Sequence, residues 1–491
     1  MNLVEFKNVT KSFGEGGQQR KILNNVNLAI QAGEFIILKG EMGAGKTTLI
    51  DLILGLQMPE SGTIKVFGYS PEQPESRLKL GLMLQKTRAP ESLKIEETIN
   101  LVRSFYLKSY SVQELLTRSK LEHKRYSWAS SDKLSGGEER SLYFALAIAG
   151  NPELLILDEP TTGLDPQARA RVLQQIRDFS IEGKTILLVS HIESDADAIS
   201  DLATRTLTLI NGQIQEVRTK NFEQIQQSFL EATGNHSHPG NPVVKAGYLL
   251  SMLLGQTKVE LLKLIRQPIF LLSMLVLYGV IAFLPKNDPN AISYMTGLAT
   301  LNLFIVAIQT LSIQIANERK QGWLKLLMIT PLPAWIYLAS KVIIAFIIST
   351  VGISLMFSLG IFKIGISQAF LDWVILFFSL IVGIVPFAIF GFFIGYIMEA
   401  NIISLTSAFI IGLAIFSSGT ISLPGMPEWL QNLIPFSPFY HYAQILIWAE
   451  HLQASEFYNT YLSIHLEWFV WTTCIASFLA IWAYQRNRAI S

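Results

Sequence analysis

The tightest constraint on this chain is one continuous stretch. Phe35-Ile36-Ile37-Leu38 runs into Gly40-Glu41-Met42-Gly43-Ala44-Gly45-Lys46-Thr47-Thr48, and then into Leu49-Ile50-Asp51-Leu52-Ile53-Leu54. It reads as strand, glycine-rich turn and helix, the context in which a G-x-x-x-x-G-K-[ST] spacing carries physical meaning. The glycines let backbone amides wrap around phosphate oxygens, where a side chain would block the approach. The helix that follows presents its positive N-terminal end. Lys46 then supplies a point charge for the terminal phosphates of a nucleoside triphosphate, and the Thr47 hydroxyl a ligand for Mg²⁺.

Composition divides the chain in two. The 491 residues are 50% hydrophobic and 16% charged, more apolar than an average soluble protein. With a mean hydropathy of +0.35, the surplus gathers beyond residue 268, whereas residues 1 to about 220 mix charge and apolar residues as a soluble α/β domain does. A net charge of +1 gives no basic patch for nucleic acid. One cysteine, Cys474, excludes an intrachain disulfide and a multi-cysteine zinc site. Met1–Phe6 lacks the charged and apolar regions of a signal peptide, so the first domain is expected to stay in the cytoplasm.

The rest of the first half adds chemistry at predicted strand ends. Leu3–Phe13 alternates like a strand, and Phe13 by itself reads as a core aromatic. Leu80–Leu84 is an apolar strand that ends at Gln85. Leu134-Ser135-Gly136-Gly137-Glu138 opens a helix expected from Glu139 to about Ala149, with Ser135 a good N-cap. Leu154-Leu155-Ile156-Leu157 reads as a buried parallel strand carrying Asp158 and Glu159 at its C-terminal end, the edge where open α/β sheets bind ligands. An Asp there can hold Mg²⁺, and the adjacent Glu can orient and deprotonate a water. Gly163-Leu164-Asp165 follows, then the strand Thr185–Val189 and the pair Ser190-His191.

In that order these motifs resemble the ATPase domain of ABC (ATP-binding cassette) transporters, over residues 1–220. The resemblance implies that Phe13 stacks on adenine and that Gly40–Thr48 is the Walker A loop. It makes Gln85 the residue that senses Mg²⁺, water and the membrane domain, and Leu134–Glu138 the ABC signature. Asp158 becomes a metal ligand, Glu159 the catalytic carboxylate, Asp165 the aspartate of the D-loop, and His191 the switch histidine on the γ-phosphate. Glu138 stands where the family often has Gln; it suits the helix dipole but adds negative charge near a phosphate site. ATP and Mg²⁺ are the implied cofactors.

The second half reads as membrane. Residues 221–257 form a linker, with a short polar helix at 221–233 and a breaker-rich tract that holds His236 and His238, read as solvated rather than metal-binding. Lys258–Arg266 is amphipathic and reads as an interfacial helix. Six candidate spans follow: Pro268–Leu284, Ile292–Ile315, Trp335–Leu359, Trp373–Ile397, Ile402–Ile421 and Trp468–Tyr484. Lys258, Lys263, Arg266, Arg319, Lys320, Lys325, Arg486 and Arg488 fall on one side, against Lys286 and Lys363 on the other. The positive-inside rule then makes both termini cytoplasmic and the span count even. The loop Glu318–Pro333 is expected to press a short amphipathic segment on the ATPase domain. The prolines and aromatics of Leu423–Glu467 read as broken helices in the outer interface, and Asn302 and Gln309 as sharing one helix face.

This layout, 258–491, is similar to ABC-2 type membrane domains. The fold class expected is an α/β P-loop NTPase (ABC ATPase) domain followed by an all-α polytopic membrane domain of about six transmembrane helices. The resemblance implies an ATP-hydrolysing half-transporter, a homodimer with composite ATP sites in a cell membrane, that exports an amphiphilic small molecule, peptide or lipid. The membrane half shows no obvious charged cavity in its sequence. The alternatives are an importer, or a membrane-anchored ATPase with a signalling or mechanical role.

Overall fold

A computed structural model describes residues 2–14, 20–85, 87–130, 132–191, 193–218, 246–266, 279–280, 283–288, 290–418, 427–451 and 462–490. The chain folds into two compact units. The first comprises Met1–Val259 together with Gln321–Tyr337, and the second Glu260–Lys320 with Leu338–Ile490.

The first unit is built on β1 (Asn2–Phe13), β2 (Arg20–Gln31), β3 (Phe35–Lys39), β4 (Ser61–Val66), β5 (Leu80–Met83), β6 (Leu154–Asp158), β7 (Thr185–Val189), β8 (Arg205–Ile210) and β9 (Gln213–Arg218). Its helices include α1 (Lys46–Ile53), α2 (Ile95–Arg103), α3 (Val112–Ser119), α4 (Gly136–Ile148), α5 (Pro166–Ser180), α6 (Glu193–Ala198) and the part of α7 (Ala246–Ile265) up to Val259. An antiparallel sheet has the order β2-β1-β4, and a second sheet the order β5-β6-β7-β3-β8-β9, parallel except for β9. All five residues of β6 and all five of β7 are buried, as expected of parallel strands covered on both faces. Between covering helices, Phe144 of α4 meets Phe179 of α5 edge-on, ring centroids 6.1 Å apart.

The stretch expected as linker turns helical at Ala246. The first part of α7 packs within the first unit: the Tyr248 hydroxyl donates to the Phe105 carbonyl at 2.5 Å, and Met252 is buried. A Cβ on Gly255 would stand 2.8 Å from the Ser104 hydroxyl, so the helix approaches closely there. The polar helix expected at 221–233, His236 and His238 lie outside the described residues.

In the second unit, helical stretches at Ala291–Lys320, Ala334–Ile364, Phe370–Ile397 and Leu462–Arg486 are long and apolar enough to cross a membrane, and Ile403–Ser417 is a shorter apolar helix. Five of the six expected spans correspond to these; Pro268–Leu284 lies largely outside the described residues. Lys258–Arg266 is not a free amphipathic surface: Ile265 is exposed, whereas Lys263 is buried. Its ammonium lies 2.8 Å from Glu260 and 2.5 Å from Glu318, and Lys341 closes the ring at 3.1 Å to Glu260 and 3.0 Å to Glu318. A small cavity beside this ring is lined by the ion-paired Glu260 and Lys341, by Thr310 and Gln314, and by apolar residues such as Val306 and Ile344.

Before the last span, the described residues form three short helices, Glu428–Gln431, Ile434–Phe436 and Pro438–Glu450, with Trp429 and Phe436 exposed. Pro438–Glu450 is one continuous helix, begun by Ser437, whose hydroxyl accepts from the Phe439 amide. Tyr442 is buried, donates to the Leu380 carbonyl at 2.9 Å and packs with Phe304 and Phe387, which also meet Phe439. Asn302 and Gln309 lose their common face because a π-helical turn, Ile305–Thr310, lies between them and changes the angular step.

Candidate active site

Parallel register explains why distant motifs meet. Met83 of β5 pairs with Leu157 of β6, so the residues two further on, Gln85 and Glu159, leave the sheet level with each other. Asp158 pairs with Val189 of β7, which puts His191 just past the same edge. Leu38 of β3 also pairs with Val189, so the loop Gly40–Thr48 starts at that edge.

The loop is shaped by its glycines at two positions. Gly45 caps α1 with φ 108°, and a Cβ on it would meet Ile22 Cγ2 at 2.7 Å. Gly43 has φ 80°. Lys46 is 7% exposed and its ammonium donates to the carbonyls of Gly40, at 2.6 Å, and Glu41, at 3.0 Å. Glu41, Met42 and Gly43 are exposed at the loop's crest, Ala44 and Thr48 are half-buried, and Thr47 is exposed in the first turn of α1.

Glu159 is the centre of the site. Its Oε2 accepts from Gln85 Nε2 at 2.6 Å and from the Thr162 hydroxyl at 3.2 Å, while Oε1 lies 2.7 Å from His191 Nδ1. An ionised carboxylate only accepts, so it calls for the tautomer with hydrogen on Nδ1. The backbone of Glu159 is left-handed, φ 49°, rare for a residue with a Cβ and concentrated at functional sites. Asp158 beside it is 7% exposed. Burial first, then the charges of Glu159 and Asp51, push its carboxyl up to about 6, against the opposing pull of Lys325 and Lys46.

The helix α4 starts at Gly136, earlier than expected, in a capping box. The Ser135 hydroxyl accepts from the Glu138 amide at 3.3 Å, and the Glu138 carboxylate accepts from the Ser135 amide at 2.8 Å. Against the pull of burial, that amide and Lys124 hold the Glu138 carboxyl below its usual range. Glu138 therefore works on its own helix terminus. Gly137 is buried where a Cβ would stand 2.8 Å from Ala168 Cβ, while Ser135 and Gly136 remain exposed. Among the described residues, no hydrogen bond or ion pair joins Ser135–Glu138 to the phosphate loop of the same chain.

Two further motif residues stand apart. Phe13 is 42% exposed with the Lys11 ammonium 5.3 Å from its ring, so it is not the core aromatic that its strand alone suggests. Asp165 is the N-cap of α5, accepting from the amides of Gln167 and Ala168.

Residues that the sequence reading missed hold the site together. Arg140, on α4, donates to the Leu84 carbonyl at 3.3 Å and the Gln85 carbonyl at 2.9 Å, which fixes the strand end that aims Gln85. Asp195, 1% exposed, takes the Thr161 hydroxyl and the Arg169 guanidinium, tying the turn after Glu159 to the segment after His191. Their signal was only proximity to recognised motifs. The segment between the spans Ala291–Lys320 and Ala334–Ile364 belongs to this unit, as expected for Glu318–Pro333. Its helix Trp323–Ile329 buries Trp323, Leu324, Leu326 and Leu327, and the Arg88 amide donates to the Gln321 carbonyl at 2.8 Å.

Comparison with known proteins adds to this geometry. Residues 23–162 match the family described as ABC transporter, and residues 173–484, more than half of the chain, match the one described as ABC-2 family transporter protein. Nod factor export ATP-binding protein I of Burkholderia lata is 35% identical over 205 residues, 40% of this chain and 66% of that protein, just under two thirds of its length. Energy-coupling factor transporter ATP-binding protein EcfA2 of Clostridium tetani is 38% identical over 225 residues, 43% of this chain and 76% of that protein. Among solved structures, the ATP-binding cassette MJ0796, a dimer bound to ADP and Pi, is 28% identical with a TM-score of 0.40, covering 44% of this chain and 98% of its own. The chain belongs to the ABC transporters, with an ABC ATPase domain followed by a membrane domain of the ABC-2 family.

Proposed function

We propose that this protein is an exporter of amphiphilic molecules that works as a homodimer, hydrolysing ATP at Glu159. The observation that carries the hydrolytic assignment is the convergence of Gln85, Thr162 and His191 on that one carboxylate. Glu159 orients and deprotonates the attacking water, His191 holds the carboxylate and faces the γ-phosphate, and Gln85 reports the site to the segment 321–337. Lys46 and the amides of Gly40–Thr48 hold the phosphates, and Phe13 is exposed for stacking on adenine. The residues that would hold Mg²⁺ are Thr47, Gln85 and Asp158; a buried carboxyl pushed up to about 6 is one that a cation relieves. Bound there, Mg²⁺ supplies charge neutralisation on the phosphates.

The exposed Ser135 and Gly136, at a helix N-terminus without a phosphate loop of their own chain, support a composite site in which each signature faces a second copy's loop, near the D-loop Asp165. Relatives named for Nod factor export favour outward transport. The domains then divide as ATPase at 1–220, linker at 221–257 and transmembrane at 258–491, with the ATPase and both termini cytoplasmic by the positive-inside rule. Reconstitution in proteoliposomes tests the reading. ATP-dependent movement of a fluorescent short-chain lipid or amphiphilic drug, absent in Glu159→Gln, is expected; ATP hydrolysis without movement of any lipid, peptide or drug probe contradicts it. In mixed pairs, Ser135→Arg on one protomer should silence the site built on the other protomer's Lys46.

A further inference from the structure

Behind the phosphate loop lies a buried carboxylate whose counter-charge comes from elsewhere in the chain. Asp51 is on α1, four residues past Thr47, so the two share a helix face one turn apart. It is 2% exposed. Its Oδ2 accepts from Gln57 Nε2 at 3.3 Å, and its Oδ1 lies 3.0 Å from the Lys325 ammonium. Among the described residues, Lys325 is the one cation at ion-pair distance from Asp51. Burial raises the Asp51 carboxyl and Lys325 opposes that rise.

Lys325 sits on the helix Trp323–Ile329, which is anchored on both sides of it. The Arg88 amide donates to Gln321 and the Arg77 guanidinium donates to the Met328 carbonyl at 2.6 Å. Three separate ties thus hold this helix to the loop after β5, to the turn Pro74–Arg77 and to α1. A buried carboxylate without a paired cation is costly and leaves an uncompensated negative charge. One turn from the loop that receives an anionic triphosphate, that charge acts against the ligand.

We propose that Lys325 is a positioning residue for the ATP site. Seated on Asp51, its charge cancels a carboxylate behind the phosphate loop, so that ATP binds at full strength only while the helix Trp323–Ile329 is docked. This gives the segment between two membrane spans an electrostatic hold on nucleotide affinity, separate from the path through Gln85.

The sign pattern of four variants tests it. The pair carries no net charge in the parent, one negative charge in Lys325→Met, one positive charge in Asp51→Asn, and none in the double variant. Binding of a fluorescent ATP analogue is measured on the full chain in detergent, in a Glu159→Gln background that prevents turnover. Lys325→Met should weaken binding about tenfold, the scale of one charge acting on a polyanion through partly screened protein. Asp51→Asn should bind as tightly as the parent or more tightly, the double variant should return to the parent's affinity, and Lys325→Arg should keep it. High salt should shrink these differences. A packing role would make Asp51→Asn weak as well and leave the double variant unrescued, and either result overturns the proposal. If Lys325→Met alone does not fold, the Asp51→Asn background decides: there Lys325→Met must not lower affinity below that of the parent. Lys46→Ala, which removes the phosphate contact itself, should abolish binding in every background and so reports separately on the ATP site.

Discussion

Gln85 Nε2 donates to Glu159 Oε2 at 2.6 Å, across two strands whose parallel register sets them side by side. The same short segment continues to Arg88, whose amide donates to Gln321. Gln85, on the catalytic carboxylate, and Arg88, on the segment between two membrane spans, therefore stand three residues apart in the chain. Gln85→Ala should lower kcat by about 10- to 100-fold, the scale of one hydrogen bond to a charged group, while ATP binding is nearly unchanged. Steady-state hydrolysis and nucleotide binding on the same preparation check this.

Glu138 caps its own helix, so its charge is spent on the Ser135 amide and Lys124. Glu138→Gln retains an acceptor and should hydrolyse ATP within about twofold of the parent, whereas Glu138→Ala should lose about 1 kcal/mol of stability. Thermal melting beside ATPase rates separates the two outcomes.

Asp158 gives a pH signature in the metal-free protein. Its folded-state pKa of about 6 lies above the ordinary 3.8, so the folded state holds the proton more tightly. Protonation then favours folding: the benefit is complete below about 4 and lost as pH rises through 6, a swing of about 3 kcal/mol. Asp158→Asn removes the charge and should raise the melting temperature at pH near 7.5, with the difference from the parent vanishing near pH 4. Melting in chelator across that window measures it.

The ring of Glu260, Lys263, Glu318 and Lys341 predicts a large loss when one member is removed. Lys341→Met leaves a buried carboxylate short of a cation and should cost about 3–5 kcal/mol. Lys341→Met combined with Glu260→Gln should recover a substantial part, because two neutral groups then face each other. Unfolding of the detergent-solubilised protein, single against double, checks the sign.

Legibility in the sequence followed locality. The strands β6 and β7 were readable because burial on both faces leaves unbroken apolar runs, and the phosphate loop because its glycines and Lys46 act within a few residues. Ser135-x-x-Glu138 has the capping-box spacing, and that local pairing, rather than a phosphate, is what the Glu138 carboxylate meets within its own chain. What failed depended on partners far along the chain. Lys263 looked like an interfacial charge because its Glu318 partner is 55 residues away. Tyr442 looked like an outer-interface aromatic because neither Phe304 nor Leu380 is near it in sequence. Nothing near Asp51 in the sequence signals its partner, because Lys325 arrives from the other half of the chain.

The most direct measurement is the ATP turnover of purified Glu159→Gln beside its ATP binding. The account predicts that hydrolysis falls about 10²- to 10⁴-fold, as expected when a general base is removed, while ATP still binds. Turnover at the parent's rate would contradict it.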